Sequence, residues 1–398
     1  MSKKKIILIT DDFIHNSQKS GAFLMKDLAI AINKSKYFSS IVLAPDINSK
    51  LISKVKVAGI ETILFPSGKL KNINSVRRAF NEYMLSRRVK KCFSFIENED
   101  VSAIVYYSPS IFFGNAVKFF KNKFNCLSYL ILRDLFPQWL VDIGLIKKND
   151  IFHLVFKYFE NINYLNADKI GVMSESNRKL FSSRSDFEKF EVLYSWQTPI
   201  KIHKNENILK KRNLEFLKDK FVFFYGGNIG LAQDIDILLS LAHSLLNSKN
   251  IHFVFIGQGD SVSLITDKAL SNVTHINSMP EYDYFELAMN FHVGFFSLHK
   301  DHTAHNYPGK IWGYMSLNKP IIGIVNKGND VKELINLNNA GLVCSHDEDV
   351  EKLTKHCLDL YENNELLNTQ GINSSKIILK FSPENTANQI LNSLNLVK

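Results

Sequence analysis

The chain has 398 residues, 45% of them hydrophobic and 22% charged, with a formal net charge of +10. That length and composition exclude a disordered chain and predict two globular domains rather than one core. No apolar run approaches the roughly 18 residues that a membrane-spanning helix requires, so no such helix is predicted.

The charge is unevenly spread. Residues 1–200 carry 30 Lys and Arg against 18 Asp and Glu, an excess of +12, which leaves 19 against 21, or −2, for residues 201–398. Such asymmetry predicts that the first half meets something anionic: nucleic acid, lipid headgroups or a lipid pyrophosphate. Cys92, Cys126, Cys344 and Cys357 are scattered, with no C-x-x-C pair. This spacing fits reduced cytosolic thiols rather than zinc or a disulfide framework.

In chain order, "KIILIT" (5–10) reads as a first buried strand rather than a secretory leader, because Asp11 and Asp12 end its short apolar run. A helix follows over about 20–35. "SIVLA" (40–44), "ETILFP" (61–66), "SAIVYYSP" (102–109), "CLSYLILRDLFP" (126–137), "KIGVMS" (169–174) and "FEVLYSW" (190–196) are further strand candidates. Helical periods over 73–97, 111–122 and 150–166 separate some of them. Residues 197–219 are polar and Lys-rich and predict a linker. The alternation then restarts with strands at 220–227, 251–260, 274–280, 293–298 and 341–345 and helices near 233–247, 281–290 and 348–361. A last helix over 382–394 could return to the first half. Strands alternating with helices predict parallel, doubly wound α/β sheets, two of them facing across a cleft.

Ligands bind such sheets beyond the carboxyl ends of the strands, so the residues just after each strand are the informative ones. "YGGNIG" places Gly226, Gly227 and Gly230 between a strand and a helix, where backbone N–H groups can meet phosphate. The G-G-x-x-G spacing is not the dinucleotide fingerprint, and a tight turn explains it equally. Gly257 and Gly259 follow the next strand and favour the plain turn. In "HNYPGKIWGYM", Lys310 follows Pro308 and Gly309 in the first turn of a helix, where a lysine opposes the helix dipole unless an anion is present. Trp312 and Tyr314 fit either a base or sugar pocket or a core. Gly328, Asn329 and Asp330 form a further turn, with Asp330 expected to cap the next helix.

In the first half, Arg133 and Asp134 end a buried strand. Asp134 is a candidate general base or acceptor-hydroxyl partner, and a structural Arg–Asp pair is the alternative. His15, Ser17, Ser20 and Gly21 follow the first strand. The 73–97 helix interleaves Arg77, Arg78, Arg87, Arg88, Lys90 and Lys91 with Val76, Phe80, Tyr83 and Met84, the composition of a membrane-surface helix. No nucleic-acid-reading motif accompanies the basic charge.

"DLFPQW", "ADKIGVMSESN", "YGGNIGLAQDID", "FIGQGD" and "YPGKIWGYMSLNKPIIG" in this order give the chain a resemblance to glycosyltransferase family 4. It looks closest to the bacterial N-acetyl-fucosaminyltransferase-like branch of O-antigen and capsule assembly. The resemblance implies a GT-B fold. Residues 1–200 would form an acceptor-binding domain, 201–380 a nucleotide-sugar-binding domain, and 381–398 a helix returning to the first. It implies a nucleotide-diphosphate donor, UDP-linked, with no cofactor and no metal. The acceptor would be a polyprenyl-pyrophosphate-linked sugar at the inner membrane face, reached by a cytoplasmic, peripheral enzyme. Donor contacts fall on Gly226, Gly227, Asn228, Gly230, Gly257, Gly259, Tyr307, Pro308, Gly309, Gly328, Asn329 and Asp330. Acceptor contacts fall on His15, Ser20, Gly21 and Arg133, and the catalytic set is Asp134, Lys310 and His305.

The chain departs from the family pattern in two places. Ala232 and Gln233 stand where many members carry a basic residue, and His305 and Gly313 stand where the family has two glutamates eight positions apart. A protein that binds but no longer transfers is therefore the alternative function. A nucleic-acid binder and a sugar epimerase are the remaining rivals.

Overall fold

The computed structural model describes residues 3–397 apart from 16, 18–19, 70–74, 109, 143, 145, 199, 201, 203, 206, 302–306 and 349–350. The chain divides into two units, Met1–Trp196 with Ser382–Lys398, and Gln197–Phe381.

The first unit is built on β1 (Lys4–Ile9), β2 (Phe38–Asp46), β3 (Ser53–Val57), β4 (Ile60–Pro66), β5 (Val101–Ser108), β6 (Leu127–Leu132), β7 (Lys169–Val172) and β8 (Phe190–Val192). Its helices are α1 (Ser20–Lys34), α2 (Ser75–Lys90), α3 (Gly114–Phe124), α4 (Gln138–Asp142), α5 (Ile151–Asn166) and α6 (Glu175–Lys179). The strand order is β3-β4-β2-β1-β5-β6-β7-β8, parallel except for the antiparallel β3–β4 pair. Both faces of the sheet are apolar because both are covered. Leu85, Val89, Phe113, Val117, Phe120 and Tyr164 pack on one face, and Met25, Leu28, Ile390 and Leu391 on the other.

The second unit carries α7 (Asn207–Lys211), β9 (Phe221–Gly226), α8 (Ile235–Ser244), β10 (Ile251–Ile256), α9 (Val262–Lys268), β11 (Val273–Ile276), α10 (Glu281–Ala288) and β12 (Val293–Ser297). It continues with α11 (Lys310–Ser316), β13 (Ile321–Val325), α12 (Asp330–Leu337), β14 (Gly341–Ser345), α13 (Glu351–Glu362) and α14 (Asn364–Ile378). Its six strands run parallel in the order β11-β10-β9-β12-β13-β14. The last helix, α15 (Pro383–Ser393), packs on α1 in the first unit, where Lys34 meets Glu384 at 2.6 Å.

Three local expectations change. Residues 197–219, expected as a linker, belong to the second unit, because Ile208, Leu209, Leu214 and Leu217 turn into its core while Lys204, Lys210, Lys211 and Lys218 stay outside. β3 was not foreseen. It is an edge strand joined to β4 by a turn at Ala58 (φ +50°) and Gly59 (φ +79°), and Lys54 and Lys56 line its alternating residues in the way edges resist further pairing. The expected 73–97 helix ends at Lys90 and continues as a 3-10 turn over Lys91–Phe95.

In each sheet the strand order reverses once, between β1 and β5 in the first unit and between β9 and β12 in the second. These reversals open the crevices in which doubly wound sheets hold ligands.

Candidate functional site

In the second unit the loop after β9 passes the reversal point. Gly227 takes a left-handed φ of +121° that an L side chain rarely adopts. The loop is zipped to the one after β10: the Gly227 N–H donates to the Ile256 carbonyl (2.9 Å), Ile229 N–H to Gln258 (2.9 Å) and Ser261 N–H to Ile229 (3.0 Å). Gly257 and Gly259 make this approach possible. A Cβ on Gly257 would lie 1.8 Å from the Gly227 carbonyl oxygen, and one on Gly259 would lie 2.1 Å from that of Ile229. These two glycines shape the loop from behind. Gly226 is likewise committed to packing, since a Cβ there would meet the Tyr284 hydroxyl at 2.1 Å. Its N–H donates to the buried Tyr314 hydroxyl at 3.1 Å.

Lys310 opens α11 behind Gly309, around which a Cβ would meet nothing within 4 Å. Its Nζ donates to the Tyr225 hydroxyl at 2.5 Å and lies 3.7 Å from the Tyr225 ring centroid. Tyr225 in turn donates to the Asn228 carbonyl at 2.5 Å. The Lys310 Cε sits 3.5 Å from where a Gly227 Cβ would be. The lysine therefore lies beneath the glycine loop. Among the described residues no carboxylate pairs with it. Burial without a counter-charge pushes its ammonium down to about 7. A lysine so placed gains its full charge when an anion arrives.

The other donor-side candidates divide. Asn228 and Gly230 are tied by Gln233, whose Oε1 accepts from Asn228 Nδ2 (2.9 Å) and from the Gly230 N–H (3.2 Å). This glutamine thus closes its own loop. Tyr307 is buried and stacks on Trp312 at 5.8 Å and 4°, and Trp312 also meets Phe381 at 4.8 Å, so this aromatic pair belongs to the core. Pro308 is half-buried, and its carbonyl accepts the Ile311 N–H at 3.1 Å. Gly328 turns the chain with φ +76°. The expected cap at Asp330 is corrected: Asn329 caps α12, accepting the Val331 N–H at 3.1 Å and donating to Asn326 at 2.9 Å, while Asp330 is the first helical residue. His305 lies outside the described residues. Gly313 is buried, and a Cβ on it would lie 3.1 Å from the Phe285 ring, a tight contact that a shift of a few tenths of an ångström would relieve.

In the first unit the strand-end residues converge on Tyr107. A Cβ on Gly21 would meet its ring at 3.2 Å, and Asp134, Asp11 and Asp12 are close enough for their charges to raise its hydroxyl pKa further, after burial. Asp134 has solvent access and no hydrogen-bond or ion-pair partner among the described residues. Surrounding protein nevertheless pushes its carboxyl above the usual range, with Arg133 opposing. Arg133 does not share that surface. It is buried, donating to the carbonyls of Leu193 (2.6 Å) and Tyr194 (3.2 Å) and lying over Trp196 (5.2 Å). Desolvation lowers its pKa to about 10. Both the acceptor-contact expectation and the structural Arg–Asp pair give way to an arginine that fastens the chain after β8.

The ring nitrogens of His15 are buried, and burial lowers its pKa against the pull of Asp46, Asp12 and the Pro45 backbone. Ser17 donates to Asp12 at 2.8 Å. Ser20 is placed as the first residue of α1.

Sequence reasoning missed Tyr107 and Tyr225. Each stands one residue before the end of a largely buried strand, where a continuous apolar run hides which residue faces the crevice. Among the described residues no three His, Cys, Asp or Glu side chains group as metal ligands would, and no helix is long and apolar enough to cross a membrane.

No protein-family model matches the chain. A probable glycosyltransferase of Pseudomonas aeruginosa, WbjE, is 25% identical over 233 residues, and the aligned stretch spans 56% of each protein, about half the length of that relative. Among solved structures, the sucrose-phosphate synthase of Thermosynechococcus elongatus superposes with a TM-score of 0.74 at 14% identity over 98% of both chains. Anabaena HepE in complex with UDP and glucose gives 0.69 at 14% identity, over 99% of this chain and 100% of that one. WaaG, a glycosyltransferase involved in lipopolysaccharide biosynthesis, gives 0.66 at 11% identity, over 97% and 99%. At such identities the shared property is the fold: two Rossmann-like parallel sheets of the GT-B type.

Proposed function

We propose that the chain is a glycosyltransferase of the family 4 type. It moves a sugar, an N-acetylated deoxyhexosamine in the branch it resembles, from a UDP-linked donor to a lipid-linked saccharide in O-antigen or capsule assembly. The second unit would hold the donor and the first the acceptor, at the cytoplasmic face of the membrane. The observation that carries this reading is Lys310, partly accessible beneath the Gly227 loop, stacked on Tyr225 and lacking a described counter-charge. The likeness to WbjE, and the UDP and glucose bound to a protein of the same fold, point the same way.

In the proposed reaction an acceptor hydroxyl oxygen bonds to the anomeric carbon as that carbon's bond to the diphosphate oxygen breaks. The hydroxyl proton passes to Asp134, whose carboxyl is held above its ordinary range by the surrounding protein, a shift that strengthens it as a base. The electron pair leaves with the diphosphate, whose charge Lys310 stabilises, since the Gly227 and Gly230 N–H groups already donate to Ile256 and Gln233. Arg133 would act as scaffold. The absence of both family glutamates, with Gly313 and His305 in their places, supports a second reading, a binding protein that no longer transfers.

A thermal-shift screen of nucleotide-diphosphate sugars tests the donor site. One or more should raise the melting temperature, and Lys310→Ala should lose the shift while melting normally without ligand. A Lys310→Ala protein that binds as well as wild type, or a wild type that binds none, overturns the assignment.

A further inference from the structure

Helix α5 is amphipathic in the reverse sense. The side chains it buries are largely polar: His153, Glu160 and Asn163, with Tyr164. The Tyr164 hydroxyl donates to Glu160 at 2.9 Å, and Asn163 donates to the Ser110 carbonyl at 3.2 Å and accepts the Tyr106 hydroxyl at 2.6 Å through its own carbonyl. Gly114 lets α3 press on the helix backbone, since a Cβ there would lie 2.7 Å from the Ile162 carbonyl oxygen. The opposite face carries Ile151, Phe152, Leu154, Val155, Tyr158 and Leu165, whose exposures range from 44% (Val155) to 67% (Ile151). The spacing of Ile151, Leu154, Val155, Tyr158 and Leu165, three, four and seven residues apart, puts them on one stripe, with Phe152 at its flank. A surface helix of a soluble protein has these faces the other way round, and contiguous exposed apolar patches mark interaction sites.

The surroundings identify the occupant. Exposed Lys147 and Lys148 precede the helix. Beside it, the Phe159 ring meets Tyr83 of α2 edge-on at 5.6 Å, and the exposed Arg87 lies over Tyr83 at 5.4 Å. Exposed Lys91 follows one turn later. Apolar side chains bordered by cations match the acyl boundary and phosphates of an anionic bilayer. Two copies of this face would bring their cations together as well as their apolar stripes, so self-pairing is less well matched.

We propose that α5 is an in-plane membrane anchor, its apolar stripe seated in the headgroup–acyl boundary while Lys147, Lys148, Arg87 and Lys91 meet lipid phosphates. This deepens the reading of a lipid-linked acceptor, and its test does not use sugar transfer. Full-length protein is floated with phosphatidylglycerol–phosphatidylcholine vesicles and with pure phosphatidylcholine vesicles. Wild type should partition onto the anionic vesicles, and Phe152→Ser/Leu154→Ser/Tyr158→Ser should lower the partition coefficient at least about tenfold. Arg87→Ala/Lys91→Ala should weaken it roughly fivefold per charge and flatten its salt dependence. The indole introduced by Tyr158→Trp should be quenched by lipids brominated high on the acyl chain.

The exposed substitutions should leave the melting temperature and any nucleotide-sugar shift unchanged, and Lys310→Ala should float like wild type. Equal flotation of the triple variant, or indole fluorescence in the Tyr158→Trp protein that brominated lipid leaves untouched, overturns the anchor. A vesicle-independent dimer that the triple variant dissolves overturns it in favour of a second copy.

Discussion

The state of Lys310 gives a sharp expectation for donor binding. In the unliganded protein, burial holds its ammonium at about 7, against the usual value of about 10.4 for lysine. A diphosphate beside it favours the charged form and raises that value in the complex. Below about pH 7 the ammonium is charged with or without ligand and adds no pH dependence. Above it the free protein has lost a proton that the complex keeps, so binding takes up a proton and weakens by about tenfold per pH unit. Between about pH 7.5 and 9 that amounts to roughly thirtyfold, or about 2 kcal/mol. Titration calorimetry with UDP, repeated in buffers of different ionisation enthalpy, measures both the affinity and the proton count. Wild type should take up close to one proton at the upper end, and Lys310→Met should take up none and bind with a flat profile. An affinity for wild type that does not change over this range, or the same slope in Lys310→Met, refutes the reasoning.

Three further outcomes are expected. Asp134→Asn should lower the turnover number for transfer by about 10² to 10⁴ while leaving UDP affinity unchanged; an unchanged rate removes the base. Gly257→Ala, whose Cβ would meet the Gly227 carbonyl oxygen at 1.8 Å, should cost about 2–4 kcal/mol in urea unfolding and weaken UDP binding; a loss under about 0.5 kcal/mol contradicts the packing account. Acid should destabilise the second unit through His252 and His292, both held near 4 chiefly by burial. His292 accepts the Val222 N–H at 3.0 Å through Nδ1, and protonation removes that acceptor. Both pKa values are depressed in the folded state, so the stability is present above about pH 6.5. It falls by about 1.4 kcal/mol per pH unit and per histidine as pH drops towards 4, and His292→Gln should lessen the slope.

Much of the architecture was legible because buried parallel strands read as apolar runs that stop at glycine or charge, as β9 stops at Gly226 and β6 just before Arg133. Elements that depend on tertiary contact were not. β3 has the alternation of an edge strand but only five residues, and α14, with Gly371, Asn373, Ser374 and Ser375, has weak intrinsic helix preference and forms by packing. In the candidate site, the sequence singled out Lys310 and the glycine loops as expectations but could not divide the glycines: Gly227 borders Lys310, whereas Gly257 and Gly259 support the loop from behind. It could not tell that Arg133 turns inward while Asp134 stays outward, because adjacent residues leaving a strand have no fixed direction. It drew the membrane-surface expectation from the basic residues and aromatics of α2, and the exposed apolar stripe of α5 was not legible, since a helix with an apolar face normally turns it inward.

Transfer itself is the most direct measure of the central claim. Purified protein is incubated with each of a panel of labelled UDP-sugars and a polyprenyl-pyrophosphate-linked N-acetylhexosamine, and the lipid fraction is analysed by mass spectrometry. One donor should yield a lipid heavier by one sugar residue together with equimolar UDP, and Lys310→Ala should yield neither. A donor that binds in the same tubes but gives no product with any acceptor lipid contradicts the transferase and leaves the binding protein.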